Sequence, residues 1–249
     1  MESDTMDKKL KIPTVFIHGY AGGFWSFFRM IHWMKKNLFI SNKVVVTIAR
    51  NGDVKFSGLP ILNNSGIQII FKNGKQMVEE QGIFLEKVFS DLKSIYHINE
   101  LNVIAHSMGA VSAMYLLTNL KNEKIPKVKK LIMLGAPFAD VEPGIDGDEV
   151  ENIELTNEGA PLNQTTRYAL LKEGSKNLDD DIEILNIIGD TDFGFSDGKV
   201  SISSAKALEY LVKGVGHYHE KIIMHRWATH RRLHENNSIF KKISNFLMK

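Results

Sequence analysis

Residues 101–109 read Leu101-Asn102-Val103-Ile104-Ala105-His106-Ser107-Met108-Gly109 and continue into the apolar stretch Ala110-Val111-Ser112-Ala113-Met114-Tyr115-Leu116-Leu117. The run 101–105 has the apolar, β-branched character of a buried strand. From Gly109 onward the period changes: Val111, Met114, Leu117 and Leu120 recur at helical steps, which predicts a helix over 109–120. Ser107 therefore stands at a sharp strand-to-helix turn, with the small residues Ala105 and Gly109 two positions to either side. A serine that is to act as nucleophile needs such a turn to expose its hydroxyl, and small neighbours to let the backbone pack there. The helix that follows adds free backbone N–H groups, which favour a developing oxyanion.

Outward from this point, strand and helix patterns alternate. The strand-like runs are Thr14–Ile17, Lys43–Ile48, 54–56, 67–71, 129–134, 182–188 and 221–224. Helical spacing is read over 24–38, 76–96, 203–212 and Asn237–Leu247; in 76–96 the periodic residues are Met77, Phe84, Val88, Leu92 and Ile95. Such alternation predicts βαβ units and a mostly parallel sheet flanked by helices. The runs 54–56 and 67–71, separated by Gly58, Pro60, Asn63-Asn64 and Gly66, are expected to pair as two strands joined by a loop. Residues 140–181 break the alternation. More than forty residues is long for a connection, and the segment is expected to be a cap or lid over a site; the other reading is a surface excursion with a short helix around 164–172.

Composition narrows the function classes. The chain has 249 residues, 31 Lys and Arg against 29 Asp and Glu, a net charge of +2 and no cysteine. At 43% hydrophobic and 24% charged residues it reads as an ordinary globular chain, long enough for one large domain or two small ones, and a single domain is expected. A chain of this length buries about 70–75% of its unfolded surface and needs no disulfide or metal staple. A charge so near neutral gives no footprint for a nucleic-acid partner. The absence of cysteine excludes a thiol nucleophile, a disulfide framework and every cysteine-based zinc site. No apolar run approaches the roughly 18–20 residues of a membrane span. The polar start Met1-Glu2-Ser3-Asp4 lacks the pattern of a signal peptide. As given, the chain reads as cytoplasmic, or as secreted or surface-held if a leader has been trimmed.

A second turn carries chemistry. His18-Gly19-Tyr20-Ala21-Gly22-Gly23 follows the first strand, and an early His-Gly turn of this kind can set a backbone N–H opposite the nucleophile. By that logic the backbone N–H groups of Tyr20 and Met108 are the expected oxyanion donors. A phosphate loop is excluded because no Gly-Lys-Ser/Thr follows. Next to this turn, Phe24, Trp25, Phe27 and Phe28 either line an acyl pocket or anchor the first helix. His217, His219, His225, His230 and His234 crowd the last part of the chain, but no His-Glu-x-x-His string accompanies them, and no metal site is assigned.

The chain resembles the α/β-hydrolases. Within them it is similar to a bacterial family of unknown function often described as cell-surface hydrolases and related to small lipases and esterases. The carriers are Phe16-Ile17-His18-Gly19, Ala105-His106-Ser107-Met108-Gly109, Leu134-Gly135-Ala136-Pro137-Phe138, Ser196-Asp197-Gly198-Lys199-Val200 and His230-x-x-Leu233-His234-Glu235-Asn236. The resemblance implies a triad in the order Ser, Asp, His. The residues alone ask only for a carboxylate after the strand 182–188, and Asp190, Asp192 and Asp197 all qualify. The family pattern favours Asp197, although Ser201 stands where the family often has Pro, and Asp192 fits the looser Gly-x-x-Asp pattern of other α/β-hydrolases. For the base, His217 lies in a Gly-x-Gly-His turn, whereas His230 follows the apolar run 221–224. In this fold the base belongs after the last strand, which favours His230, with His234 bracing the loop. The resemblance implies the fold but not the substrate; the expected function is that of a carboxylesterase acting on small to medium acyl esters through Ser107, Asp197 and His230, with no cofactor and a small-molecule ester as its partner. A lipase or thioesterase on longer chains and a catalytically silent binding protein are the alternatives.

Overall fold

A computed structural model describes residues 10–141, 150–191 and 193–249 of the chain. Its frame is an eight-stranded sheet built from β1 (Thr14–Ile17), β2 (Lys43–Ile48), β3 (Val54–Ser57), β4 (Gly66–Phe71), β5 (Glu100–His106), β6 (Lys127–Leu134), β7 (Glu183–Asp190) and β8 (His217–Met224), in the spatial order β3-β2-β4-β1-β5-β6-β7-β8. All neighbouring pairs are parallel except β2 with β3. Among the described residues six α-helices flank it: α1 (Phe28–Lys36), α2 (Val78–Ser94), α3 (Met108–Tyr115), α4 (Thr166–Gly174), α5 (Ile202–Leu211) and α6 (Asn237–Leu247). This is the α/β-hydrolase fold, with a mostly parallel central sheet.

The central strands are apolar on both sides because both sides are covered, as parallel sheets require. Alternate residues enter separate cores. Val15, Ile17, Val103, Ala105, Leu131 and Met133 face the layer of α2 to α5, while Phe16, Ile104, Ile132 and Leu134 face α1 and α6. Complete burial of each Val, Leu or Ile is worth about 1.5–3 kcal/mol, so this two-sided packing fixes the register of the strands that carry the site.

Several expectations are corrected. The strands at 54–57 and 66–71 do not pair with each other; β2 lies between their positions, antiparallel to β3 and parallel to β4. In α2 the buried stripe runs through Val78, Leu85, Val88, Phe89 and Leu92, leaving Met77 and Ile95 exposed. Gln81 and Gly82 occupy that stripe and blur its apolar period. The chain from Leu116 to Leu120 leaves the α-helical path in a π-helical turn. β8 is twice as long as the apolar run that announces it, because its first half, His217 to Glu220, is polar at the open edge of the sheet.

The 140–181 segment is not a cap throughout. Thr165 caps α4, its Oγ1 accepting the Tyr168 N–H at 3.1 Å, and the helix buries Tyr168 and Leu171 in the core. The Tyr168 hydroxyl donates to the Ala207 carbonyl at 2.8 Å, tying α4 to α5. Residues 166–174 are thus the crossover helix between β6 and β7. Residues 142–149 lie outside the described residues.

Candidate active site

The loops that leave the carboxyl ends of β1, β5, β6, β7 and β8 converge on one cleft of about 380 Å³, lined among others by Gly19, Tyr20, His106, Ser107, Asp140 and His230. Ser107 sits between β5 and α3 at φ 54°, ψ −135°, a conformation that L-residues rarely adopt and that costs about 1–3 kcal/mol. Its N–H donates to the Leu134 carbonyl at 2.9 Å, and its own carbonyl accepts the Ala110 N–H at 2.9 Å, which holds the turn in place. The residue two positions on has to be glycine: a Cβ at Gly109 would stand 2.3 Å from the His18 carbonyl oxygen. Two positions before, Ala105 is fully buried with its methyl accommodated.

The turn after β1 is held by His18. Its Nδ1–H donates to the Gly19 carbonyl at 2.8 Å and its Nε2 accepts the Phe71 N–H at 3.1 Å, so a neutral ring in one tautomer satisfies both partners. Burial lowers its pKa, against the pull of the Gly19 carbonyl. Ala21 N–H donates to Gly74 O at 2.8 Å and pins the turn from the other side. Tyr20 thereby borders the same cleft as Ser107.

Asp197, 2% exposed, follows β7 in a tight turn. Its Oδ1 accepts the backbone N–H groups of Lys199 and Val200 at 3.0 and 2.8 Å, and its Oδ2 accepts Nδ1–H of His230 at 2.8 Å. A second bond joins the same two residues, from the His230 N–H to the Asp197 carbonyl at 2.9 Å. Gly135, at φ 55°, lies beneath this pair; a Cβ there would come within 2.8 Å of Asp197 Oδ2 and 3.1 Å of His230 Nδ1. Of the other acids, Asp190 ends β7 with its Oδ1 accepting the Gly194 N–H at 2.9 Å, and Asp192 lies outside the described residues.

The two candidate bases are far apart in the fold. His230 opens a 3₁₀ turn, His230–His234, beyond β8 and lines the cleft. His217 is the first residue of β8, exposed and in register with Glu183 at the amino end of the sheet, remote from Ser107. His234 is buried between Phe27 and His106, with ring centroids at 5.7 and 4.4 Å. Burial lowers its pKa to about 4, although Glu235 and the Ser26 carbonyl pull the other way. Among the described residues, no group of three or more His, Cys, Asp or Glu side chains is placed to hold a metal ion.

None of the aromatic residues after the His18 turn is among the described residues that line the cleft. Phe27 is buried against Phe16 and anchors α1, while Phe24, Trp25 and Phe28 cluster on the surface, with Lys43 Nζ 3.9 Å from the Phe24 ring centroid. Sequence reasoning missed Asp140, buried after β6 and bordering the cleft, and the tilted packing of the His106 ring against His230. Asp140 carries no motif, and in the sequence His106 is only the variable position beside the serine.

A family model described as alpha/beta hydrolase of unknown function (DUF915) matches residues 2–249. Among solved structures, a gene product of Listeria innocua superposes with a TM-score of 0.84 at 24% identity, covering 96% of this chain and 94% of that one. A candidate cell surface hydrolase from Lactobacillus plantarum superposes at 0.73 and 20% identity, covering 95% and 90%. An esterase from Pyrococcus furiosus superposes at 0.55 and 15% identity, covering 97% and 82%. At these identities the likeness is one of fold. No curated protein matches the chain. Among the described residues no helix is long and apolar enough to cross a membrane.

Proposed function

The chain belongs to the alpha/beta hydrolases of unknown function (DUF915), and from that premise we propose that it is a serine hydrolase that cleaves carboxylic esters of small to medium acyl chains. The observation that carries the reading is the 2.8 Å bond from His230 Nδ1–H to a buried Asp197, on the rim of the cleft that Ser107 also lines. With Nδ1 committed to Asp197, the lone pair of His230 lies on Nε2. As Ser107 Oγ attacks the ester carbonyl, His230 takes its proton, and Asp197 stabilises the imidazolium that forms. The tetrahedral oxyanion is received by the backbone N–H groups of Tyr20 and Met108. The proton then passes to the leaving alkoxide, and a water activated by His230 releases the acid from the acyl-enzyme.

The lining of the cleft supports the shorter chains. Among the described residues the cleft is small and is bordered mainly by glycine, hydroxyl, imidazole and charged residues, with Val200 and Tyr20 beside them. Long acyl chains need an extended apolar trough, and the aromatic cluster that could have formed one lies outside the cleft. Nor does a silent binding module explain why a strained serine, a buried acid and a histidine are gathered here.

A panel of p-nitrophenyl esters from acetate to palmitate, run beside Ser107→Ala, tests the proposal. Turnover is expected to peak at short and medium chains and to vanish in the variant. A peak at palmitate would make the protein a lipase, and no turnover of any ester would leave a binding role.

A further inference from the structure

The residue that precedes the serine grips the histidine that would activate it. His106 is the last residue of β5 and is buried. Its Nε2 lies 3.0 Å from the backbone carbonyl oxygen of His230, and since a carbonyl only accepts, the proton sits on Nε2. The two rings pack at 4.5 Å between centroids, and His234 meets the His106 ring edge-on at 4.4 Å. His230 is thus fastened at three points: Asp197 holds its backbone N–H and its ring Nδ1–H, and His106 holds its carbonyl. The remaining ring nitrogen, Nε2, has one direction left to face. Burial, reinforced by the neighbouring His234, His230 and His18, keeps the pKa of His106 well below the usual histidine value, so the donor stays neutral while His230 cycles through its charged form.

Resting on the reading of His230 as the base, we propose that His106 is a positioning residue, whose Nε2–H bond to the His230 carbonyl locks the 3₁₀ turn so that the base faces the adjacent Ser107. Because residues 106 and 107 are consecutive, nucleophile and base are referenced to the same strand end, and their separation does not depend on the conformation of a long loop. Loss of the bond would let the turn rock, and misplacing a catalytic group by an ångström costs on the order of 10²-fold in rate.

The test uses three substitutions that separate the donor from the packing. His106→Phe keeps the ring and removes the donor. His106→Gln carries an amide N–H near the position of Nε2, and His106→Asn carries one a bond too short. On a short-chain ester, kcat is expected to fall about 10- to 100-fold in Phe and Asn, with KM moving less than about twofold, and to return to within about threefold of wild type in Gln. The second readout does not need turnover. The downfield proton resonance of His230 Nδ1–H, identified by its loss in His230→Gln, is expected to exchange with water about tenfold faster in Phe and Asn than in wild type and Gln, the equivalent of one hydrogen bond. Should Phe fail to fold, the Asn and Gln pair carries the comparison. Equal rates and equal exchange in all variants, or equal losses in Phe, Asn and Gln, overturn the proposal. If the wild type hydrolyses no ester, the reaction assigned above fails, and the exchange rates alone decide the role of His106.

Discussion

The two ends of the same parallel strands hold ionisable groups at similar distances and put them to different uses. At the amino end, Lys127 and Lys129 reach Asp181 at 2.8 and 2.6 Å. Their hydrogen bonds hold Asp181 below the usual carboxylate range, and the bond to Asp181 raises Lys127. His219 meets Glu183 there at 3.1 Å, and His217 is exposed beside them. All of this is in contact with water, where ion pairs contribute little and are screened by salt. At the carboxyl end, His230 and Asp197 are 2.8 Å apart inside a shell of His106, His234 and the His18 turn, with Asp197 almost wholly buried. Burial rather than distance separates a solvated charge cluster from a set of groups fixed in one tautomer. The parallel topology decides which end is which, because each helix begins where its strand finishes and the loops between them open at the carboxyl edge.

That contrast can be broken or sharpened by substitution. The largest effect is expected for His230→Ala, a loss on the order of 10⁵–10⁶ in kcat on a short-chain ester, since removing a triad base costs about as much as removing the nucleophile. Asp197→Asn is expected to lose about 10⁴ with little change in KM, because the amide favours the wrong tautomer of His230. Steady-state kinetics on both proteins check these values, and activity within tenfold of wild type in either would remove that residue from the mechanism.

Acid should find the carboxyl end first. His234 titrates near 4 when folded and near 6.5 when unfolded, so the unfolded chain takes up its proton earlier as pH falls. The contribution is complete above about pH 6.5 and is lost on the way down to about 4, on the order of 3 kcal/mol for this residue alone. His18 and His106, both lowered, act in the same direction. Chemical unfolding at pH 7 and pH 4.5 is expected to show a smaller drop in His234→Phe than in wild type; identical drops would mean that His234 is not the residue responsible. The smallest effects belong to the amino end. His217→Ala is expected to keep kcat within about twofold, and Asp181→Asn to change stability by no more than about 0.5 kcal/mol. A loss of several orders of magnitude in His217→Ala would place the base at the wrong end of the sheet.

The legibility of the molecule follows the same division. β1 and β2 read true to the residue because their neighbours bury them and leave short, dense apolar runs. β8 was half visible, since an edge strand that starts with His217, Tyr218, His219 and Glu220 advertises no hydrophobic face. The placement of β2 beside both β3 and β4 could not be read, because strand partners are chosen by tertiary packing. The sequence announces α4 as a short helix near 164–172 but not as a crossover helix, because its core contribution rests on few residues, chiefly Tyr168 and Leu171. At the site, Ser107, Asp197 and His230 lie in short motifs, and the structure brings the last two into contact and all three to one cleft or its wall. The contact of His106 with the His230 carbonyl and the place of Asp140 at the cleft arise only where separate elements meet in the folded state, and no spacing along the chain encodes that meeting.

The central claim is that Ser107 is a nucleophile activated by His230, and covalent labelling tests it most directly. The protein is incubated with a fluorophosphonate, digested and mapped by mass spectrometry, alongside Ser107→Ala and His230→Ala. The account expects one adduct on the peptide that contains Ser107 in wild type, none in Ser107→Ala, and labelling slowed by several orders of magnitude in His230→Ala. An adduct on another residue, or wild-type-like labelling of Ser107 without His230, would contradict it.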